Sequence, residues 1–123
     1  MHLVTARNAA DLLGTLLAGT AHEAVAVAFL GEGQVVLGTV RHRGAADTAD
    51  LPIREIILEA VSLGAAALVL AHNHPSGDAA PSEADILATR RLRDTAEAIG
   101  LRLDDHLIFA GEECRSLRAL GLL

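Results

Sequence analysis

The chain has 123 residues and a formal net charge of −6. This length fits a single domain over residues 1–123, and the sequence shows no internal repeat or linker. The acidic balance argues against a protein whose main partner is a phosphate backbone, since such a partner requires clustered Lys and Arg. No apolar run approaches the roughly 18 residues that span a bilayer, and no secretory leader is visible, so we expect a cytoplasmic protein without a membrane partner.

The first half of the chain predicts a helix, a strand hairpin and a second helix. Apolar residues first recur at helical spacing, with Thr5 or Asn8 as the N-cap and Gly19 as the terminator. Two Val-rich runs then flank Gly31-Glu32-Gly33, which predicts two strands joined by a tight turn. Gly64 suits the left-handed cap of the second helix. The predicted ranges are a helix over 5–18, strands over 23–30 and 34–40, a loop over 41–49 and a helix over 53–63.

The second half predicts a strand, a loop, a helix, a strand and a short last helix. The longer helix turns an apolar stripe inward, formed by Ala88, Leu92, Ala96 and Ile99. Its basic cluster predicts a solvated face paired with Asp94 and Glu97, and consists of Arg90, Arg91 and Arg93. The predicted ranges are a strand over 65–71, a loop over 75–81, a helix over 82–99, a strand over 101–110 and a short helix capped by Ser116. The order predicts an α/β fold, a mixed β-sheet flanked by helices on both sides.

Two histidines and a carboxylate stand where a metal site could form. His72 and His74 lie two residues apart at the end of a predicted strand, so both imidazoles project to the same side. Asp85 follows His74 by eleven residues, at the start of the next helix, and a loop of this length can bring its carboxylate beside the two rings. This set with an open fourth position is the pattern of catalytic zinc, which lowers the pKa of its bound water to about 7. Cys114 is the only cysteine, so a thiolate cluster is not available and we expect an inert thiol.

Each of these residues, taken alone, also has a structural explanation. Ser82-Glu83-Ala84-Asp85 fits a helix capping box, in which a Ser cap is paired with an acidic residue three positions later. An isolated His-x-His pair is more often packed or solvated than metal-bound. His106, on the last long strand, fits a pocket-lining or orienting role, but a half-buried histidine is more often structural.

The complete spacing favours the metal site. His72-Asn73-His74, seven intervening residues, Ser82, two more residues and Asp85 resemble the JAMM motif of the JAB/MPN metalloprotease superfamily. The string His72-Asn73-His74-Pro75-Ser76-Gly77-Asp78, followed by Pro81-Ser82, is similar to the bacterial RadC-type branch in particular. Further resemblance to this branch lies in Pro52, Arg54, Glu55, the pair Asp105-His106 and the ending from Ser116-Leu117-Arg118 to Gly121-Leu122-Leu123.

The resemblance implies zinc-dependent hydrolysis of a peptide, isopeptide or related amide bond in a protein or peptide-conjugate substrate. In that superfamily the two His and the Asp of the motif bind zinc, and these positions match His72, His74 and Asp85. The motif serine supports the developing oxyanion and matches Ser82.

A glutamate at the head of the first sheet strand completes the implied machinery as the general base on the attacking water. The positional match is Glu23, although spacing alone does not separate it from Glu32 or Glu55. The resemblance also implies the layered JAB/MPN architecture, which is similar to that of cytidine deaminases.

Two other functions stay open at this point. A metal-binding interaction module would keep the metal for stability or partner recognition without turning over a substrate. A DNA-repair accessory role would follow the family's historical label, but the sequence has no room for the N-terminal helix-hairpin-helix module of many RadC-type proteins, and its charge predicts almost no DNA binding. A homo-oligomer also stays open, as does the metal, because Fe, Mn and Co take similar ligands.

Overall fold

Five strands form one mixed sheet in the computed structural model, which describes residue 2 and residues 6–19, 22–43 and 51–123. The helices are α1 (Ala6–Leu17), α2 (Ile53–Leu63) and α3 (Glu83–Glu97). The strands are β1 (Ala24–Leu30), β2 (Val36–Arg43), β3 (Ala67–Asn73), β4 (Arg102–Ala110) and β5 (Glu113–Ser116). Their order across the sheet is β2-β1-β3-β4-β5, with β3 and β4 parallel and the other neighbours antiparallel.

The sheet is covered on both faces, as the apolar runs predict. One buried cluster joins α1 to alternate residues of β1 and β3, including Leu13 and Ala26. A second cluster joins the other face of these strands to α2 and α3, including Phe29, Ile56 and Leu92. Because both faces are buried, β1 and the first five residues of β3 are continuously apolar and not alternating. The predicted α/β fold is confirmed.

Helix ends follow their sequence signals. Gly64 takes a left-handed conformation with φ of +67° after α2. Ser82 caps α3, so that helix begins where the capping box predicts. Of the two N-caps predicted for α1, Asn8 is wrong because the helix already begins at Ala6, and Thr5 lies outside the described residues. No helix in the described ranges is long and apolar enough to cross a membrane.

The prediction of a short C-terminal helix is wrong. Gly111 and Glu112 form a two-residue hairpin loop, with Gly111 at φ of +57°, and β5 then pairs with β4. Ser116 caps only one turn, where its Oγ accepts a hydrogen bond from the Ala119 N–H at 3.1 Å. An edge strand that the sequence pattern does not predict therefore ends at Ser116, and residues 117–121 form turns in place of the predicted helix.

Three smaller predictions also need correction. The predicted loop starts too early, because residues 41–43 continue β2, whose exposed edge position tolerates Arg and His; residues 44–50 lie outside the described part. Ile99 is exposed, because α3 ends at Glu97 and position 99 no longer belongs to its inner face. The basic cluster is predicted to pair with acidic residues three or four positions away along α3. The observed ion pair instead joins the neighbouring residues Arg93 and Asp94.

Candidate metal centre

The two motif histidines meet at the C-terminal end of β3, the central strand. His72 is fully buried and His74 is partly exposed, and their Nε2 atoms lie 2.7 Å apart. Residue 72 pairs with Val25 of β1, on the sheet face that α2 and α3 cover. The strand period thus brings both rings to the side of α3, as predicted.

Asp85 joins the pair from the first turn of α3. Its Oδ1 lies 3.4 Å from Nε2 of His72, and its Oδ2 lies 3.1 Å from Nε2 of His74. The carboxylate is buried with its residue 1% exposed. This buried carboxylate accepts a hydrogen bond from the Ser82 N–H at 2.8 Å, and a cation beside the two imidazole nitrogens would stabilise its charge further.

Glu23 approaches the same histidines from the residue before β1. One ligand atom from each of Glu23, His72 and His74 lies within 4.8 Å of the others, a spacing that could hold a metal ion. Asn73 fixes the backbone on both sides of this glutamate. Its Oδ1 accepts from the Ala24 N–H at 2.7 Å, and its Nδ2 donates to the His22 carbonyl at 3.0 Å.

A chain of hydrogen bonds sets the hydrogen positions on the buried rings. The Thr89 hydroxyl donates to the Asp85 carbonyl at 2.6 Å, so its oxygen accepts from Nδ1 of His106 at 2.6 Å. Nε2 of His106 then has no hydrogen and accepts from Nδ1 of His72 at 2.6 Å. Burial, followed by repulsion from His72, lowers the pKa of His106 well below its usual value, which agrees with this neutral ring.

Both Nε2 atoms of the motif histidines are left as acceptors. Nδ1 of His74 donates to the Asp78 carbonyl at 2.8 Å, so the hydrogen of that ring is on Nδ1, as it is for His72. Two nitrogen lone pairs 2.7 Å apart repel each other unless a proton or a metal cation lies between them. Nitrogen and carboxylate donors held in this way fit a divalent transition metal, and their outer partners match the usual support of metal-bound histidine.

The capping box and the candidate metal site share Asp85. The Ser82 N–H donates to Asp85 Oδ2 at 2.8 Å, and the Asp85 N–H donates to Ser82 Oγ at 3.0 Å. The structural reading of these two residues is therefore confirmed, while the same Asp85 carboxylate also faces the histidines. Among the described residues, the other glutamates considered for the base, Glu32 in the turn before β2 and Glu55 on α2, are not part of the group that could hold a metal ion.

Two open clefts each include one residue of this centre. One has a volume of about 520 Å³ and is lined by His22, Glu23, Ala24, Arg41 and Arg43. The other has a volume of about 400 Å³ and includes His74, Phe109 and the C-terminal end of α1. Glu23 and His74 thus each border a space that could hold part of a substrate.

Residues 3–122 match the family model described as a RadC-like JAB domain. The chain belongs to the RadC-like JAB family. A "UPF0758 protein" of Rhodobacter capsulatus is 41% identical over 114 residues, which are 92% of this chain and 53% of that protein. A "UPF0758 protein" of Vibrio cholerae is 40% identical over 102 residues, 82% of this chain and 65% of that protein.

A further relative within the RadC-like JAB family is the "UPF0758 protein YeeS" of Escherichia coli (strain K12). It is 38% identical over 118 residues, 95% of this chain and 80% of that protein. The chain spans about half the length of the Rhodobacter relative. The RadC-type resemblance is confirmed, and the names of these relatives specify no reaction.

Several residues of the site carry no ligand signal of their own in the sequence. Thr89 reads as one polar residue on a helix, and the Asp78 carbonyl belongs to the backbone. From the sequence Asn73 is explained as a turn residue, yet its side chain holds the start of β1 beside Glu23. A polar residue one helical turn after Asp85, on the inner side of α3, is the one feature that points to Thr89.

Proposed function

We propose that this chain is a zinc-dependent hydrolase of the JAMM type that cleaves a peptide, isopeptide or related amide bond in a protein or peptide-conjugate substrate. One observation carries the proposal: two histidines with fixed hydrogens turn bare Nε2 atoms toward each other beside the buried Asp85 carboxylate. A metal cation would satisfy both Nε2 atoms and the carboxylate at once, whereas a shared proton satisfies only the two nitrogens. Membership of the RadC-like JAB family supports the same chemistry.

In this proposal His72, His74 and Asp85 are the protein ligands. Two imidazoles and one carboxylate are a ligand set that is characteristic of catalytic zinc sites. Zinc bound there supplies a Lewis acid that makes water a nucleophile near neutral pH and polarises the scissile carbonyl. The described site offers nitrogen and oxygen ligands and no sulfur, a set that Zn²⁺, Fe²⁺, Mn²⁺ and Co²⁺ can each occupy. Zinc is the proposed ion.

Glu23 and Ser82 have separate roles in bond cleavage. Glu23 accepts a proton from the attacking water and delivers it to the leaving amine, a task that requires a carboxylate within hydrogen-bond reach. The Ser82 oxygen accepts a hydrogen bond from the Asp85 N–H. The hydroxyl hydrogen of Ser82 is therefore able to donate to the developing oxyanion.

Metal content is the direct test of the site. Protein purified without added metal should contain about one zinc per chain, and His74→Ala and Asp85→Ala should each lose it. Glu83→Ala is the matched control, because this exposed carboxylate lies in the same first turn of α3. Folded wild type without metal, or equal zinc in all variants, would contradict the proposed ligands.

Turnover separates a hydrolase from a metal-binding interaction module. Wild type should release the fluorophore from at least one class in a panel of peptide-linked and isopeptide-linked amides. Glu23→Gln should keep its zinc and lose at least about 100-fold in rate, because general acid–base catalysis contributes about that much. If Glu23→Gln instead loses zinc, this glutamate is a ligand and not the base. If zinc-loaded wild type cleaves none of the panel, the interaction module is favoured.

A further inference from the structure

A buried polar chain lies behind His72, on the side away from His74. Thr89 is 1% exposed, His106 is 2% exposed and His72 is fully buried. Their polar atoms are linked at 2.6 Å in each step, and the chain ends on the carbonyl of Asp85. Polar groups this deeply buried are destabilising unless all of them are hydrogen-bonded. The core thus keeps a polar cluster in a space that apolar residues could fill.

The direction of these hydrogen bonds leaves one arrangement. A backbone carbonyl can only accept, so the Thr89 hydroxyl donates to Asp85 and its oxygen accepts from His106. His106 is then an acceptor toward His72. This chain of hydrogen bonds thus begins at Asp85 and ends at His72, two of the proposed metal ligands. It fixes the hydrogen of the His72 ring on Nδ1 and leaves Nε2 bare for a metal.

A β-bulge places His106 in this chain. Leu68 pairs with Leu103, but Val69 pairs with Asp105, so Asp104 is an extra residue in β4. Without this extra residue, every later side chain of β4 would point to the opposite face, and His106 would lie away from α3. Arg118 holds the bulge, since its guanidinium donates to the carbonyls of Leu103 and Asp104.

We propose that Thr89 and His106 are positioning residues that fix the tautomer and orientation of His72 and so set the metal affinity of the centre. The proposal rests on the proposed metal site. It assigns His106 a role that a structural histidine lacks: its Nε2 has to accept, because a donor there would force the hydrogen of His72 onto the metal-facing nitrogen. Outer-shell partners of this kind are typically worth about 10–100-fold in metal affinity.

Four variants test the relay. His106→Leu removes the acceptor and fills the volume, whereas His106→Gln keeps a side-chain carbonyl that can accept from His72. Thr89→Val removes only the hydroxyl. Thr95→Val is the matched control, because Thr95 lies on the same helix and makes the same local bond, to the Arg91 carbonyl at 2.8 Å, but is exposed and outside the relay.

Zinc affinity, measured by competition with a chromophoric chelator, should fall about 10–100-fold in His106→Leu and Thr89→Val. His106→Gln should recover part of this loss, and Thr95→Val should match wild type. In the zinc-free protein, nitrogen NMR should show the His72 hydrogen on Nδ1 in wild type and a tautomer mixture in His106→Leu.

Unchanged zinc affinity and an unchanged His72 tautomer in folded Thr89→Val and His106→Leu would overturn the relay. If His106→Leu does not fold, Thr89→Val decides, because it leaves the core volume almost intact. If wild type itself binds no zinc, the proposed function fails, and the tautomer of His72 in the zinc-free variants still decides whether the relay acts on this ring.

Discussion

Replacing Asn73 by Ala should both destabilise the fold and disturb Glu23. The substitution removes two hydrogen bonds, one from the Ala24 N–H and one to the His22 carbonyl. Each net hydrogen bond contributes about 1 kcal/mol, and leaving the buried Ala24 N–H without a partner costs about 1–3 kcal/mol. We therefore expect the free energy of unfolding to fall by about 2–3 kcal/mol.

Urea denaturation of the metal-free protein measures this loss. Asn73→Asp should fall between wild type and Asn73→Ala, because a carboxylate can still accept from Ala24 but cannot donate to His22. Ser76→Ala is the control: this exposed residue lies three positions further on, outside the clamp, and its loss should change stability by less than about 0.5 kcal/mol. Equal stability of Asn73→Ala and wild type would refute the clamp.

A second measurement on the same variant connects the clamp to function. Zinc content should stay near that of wild type, because the proposed ligands His72, His74 and Asp85 are unchanged. Hydrolysis should nevertheless fall, because the backbone on both sides of Glu23 is released. Loss of zinc together with activity would instead show that the clamp supports the histidines and not the base.

Three further predictions concern the whole chain and its C-terminal segment. Free zinc at about 100 times its Kd should add about 2.7 kcal/mol of stability and raise the Tm by about 10 °C in a thermal melt, and no shift after chelator treatment and zinc readdition would contradict the site. Asp105→Ala should lose about 3 kcal/mol, since this carboxylate accepts from the His106 N–H, Ser116 Oγ and Arg118 N–H, whereas Asp104→Ala should change little. Burial, followed by the charge of Asp105, raises the pKa of the Cys114 thiol, so less thiolate is present at any pH. From pH 7 to 9, a disulfide reagent should therefore react more slowly with Cys114 than with glutathione. An equal or faster rate would refute this.

The elements that sequence patterns predict well are those with a strong local signal. Apolar runs located β1 and β3, and caps located the ends of α2 and α3. The strand over residues 113–116 is missed because it depends on pairing with β4, which no local pattern in these residues reveals. The part of β2 beyond residue 40 failed for the same reason, since its polar residues are held by the β1 ladder.

The site divides in the same way. The motif histidines and Asp85 share a local spacing that sequence can reveal, and the structure brings them together. The relay behind them depends on the bulge at Asp104, which shifts the β4 register by one residue. A sequence pattern of alternating faces cannot anticipate that shift, so the position of His106 beside His72 requires the folded sheet.

The motif spacing itself has a physical basis in two periods. Residues two apart on a strand project to one face, which pairs His72 with His74. A serine cap and an acidic residue three positions later form a reciprocal cap, which fixes Ser82 and Asp85. The cap directs one carboxylate oxygen to the Ser82 N–H, while both oxygens still face the histidines, and the positive end of α3 stabilises the charge. The helix cap therefore preorganises the carboxylate that we propose as a metal ligand, so a cap and a ligand are two uses of the same geometry.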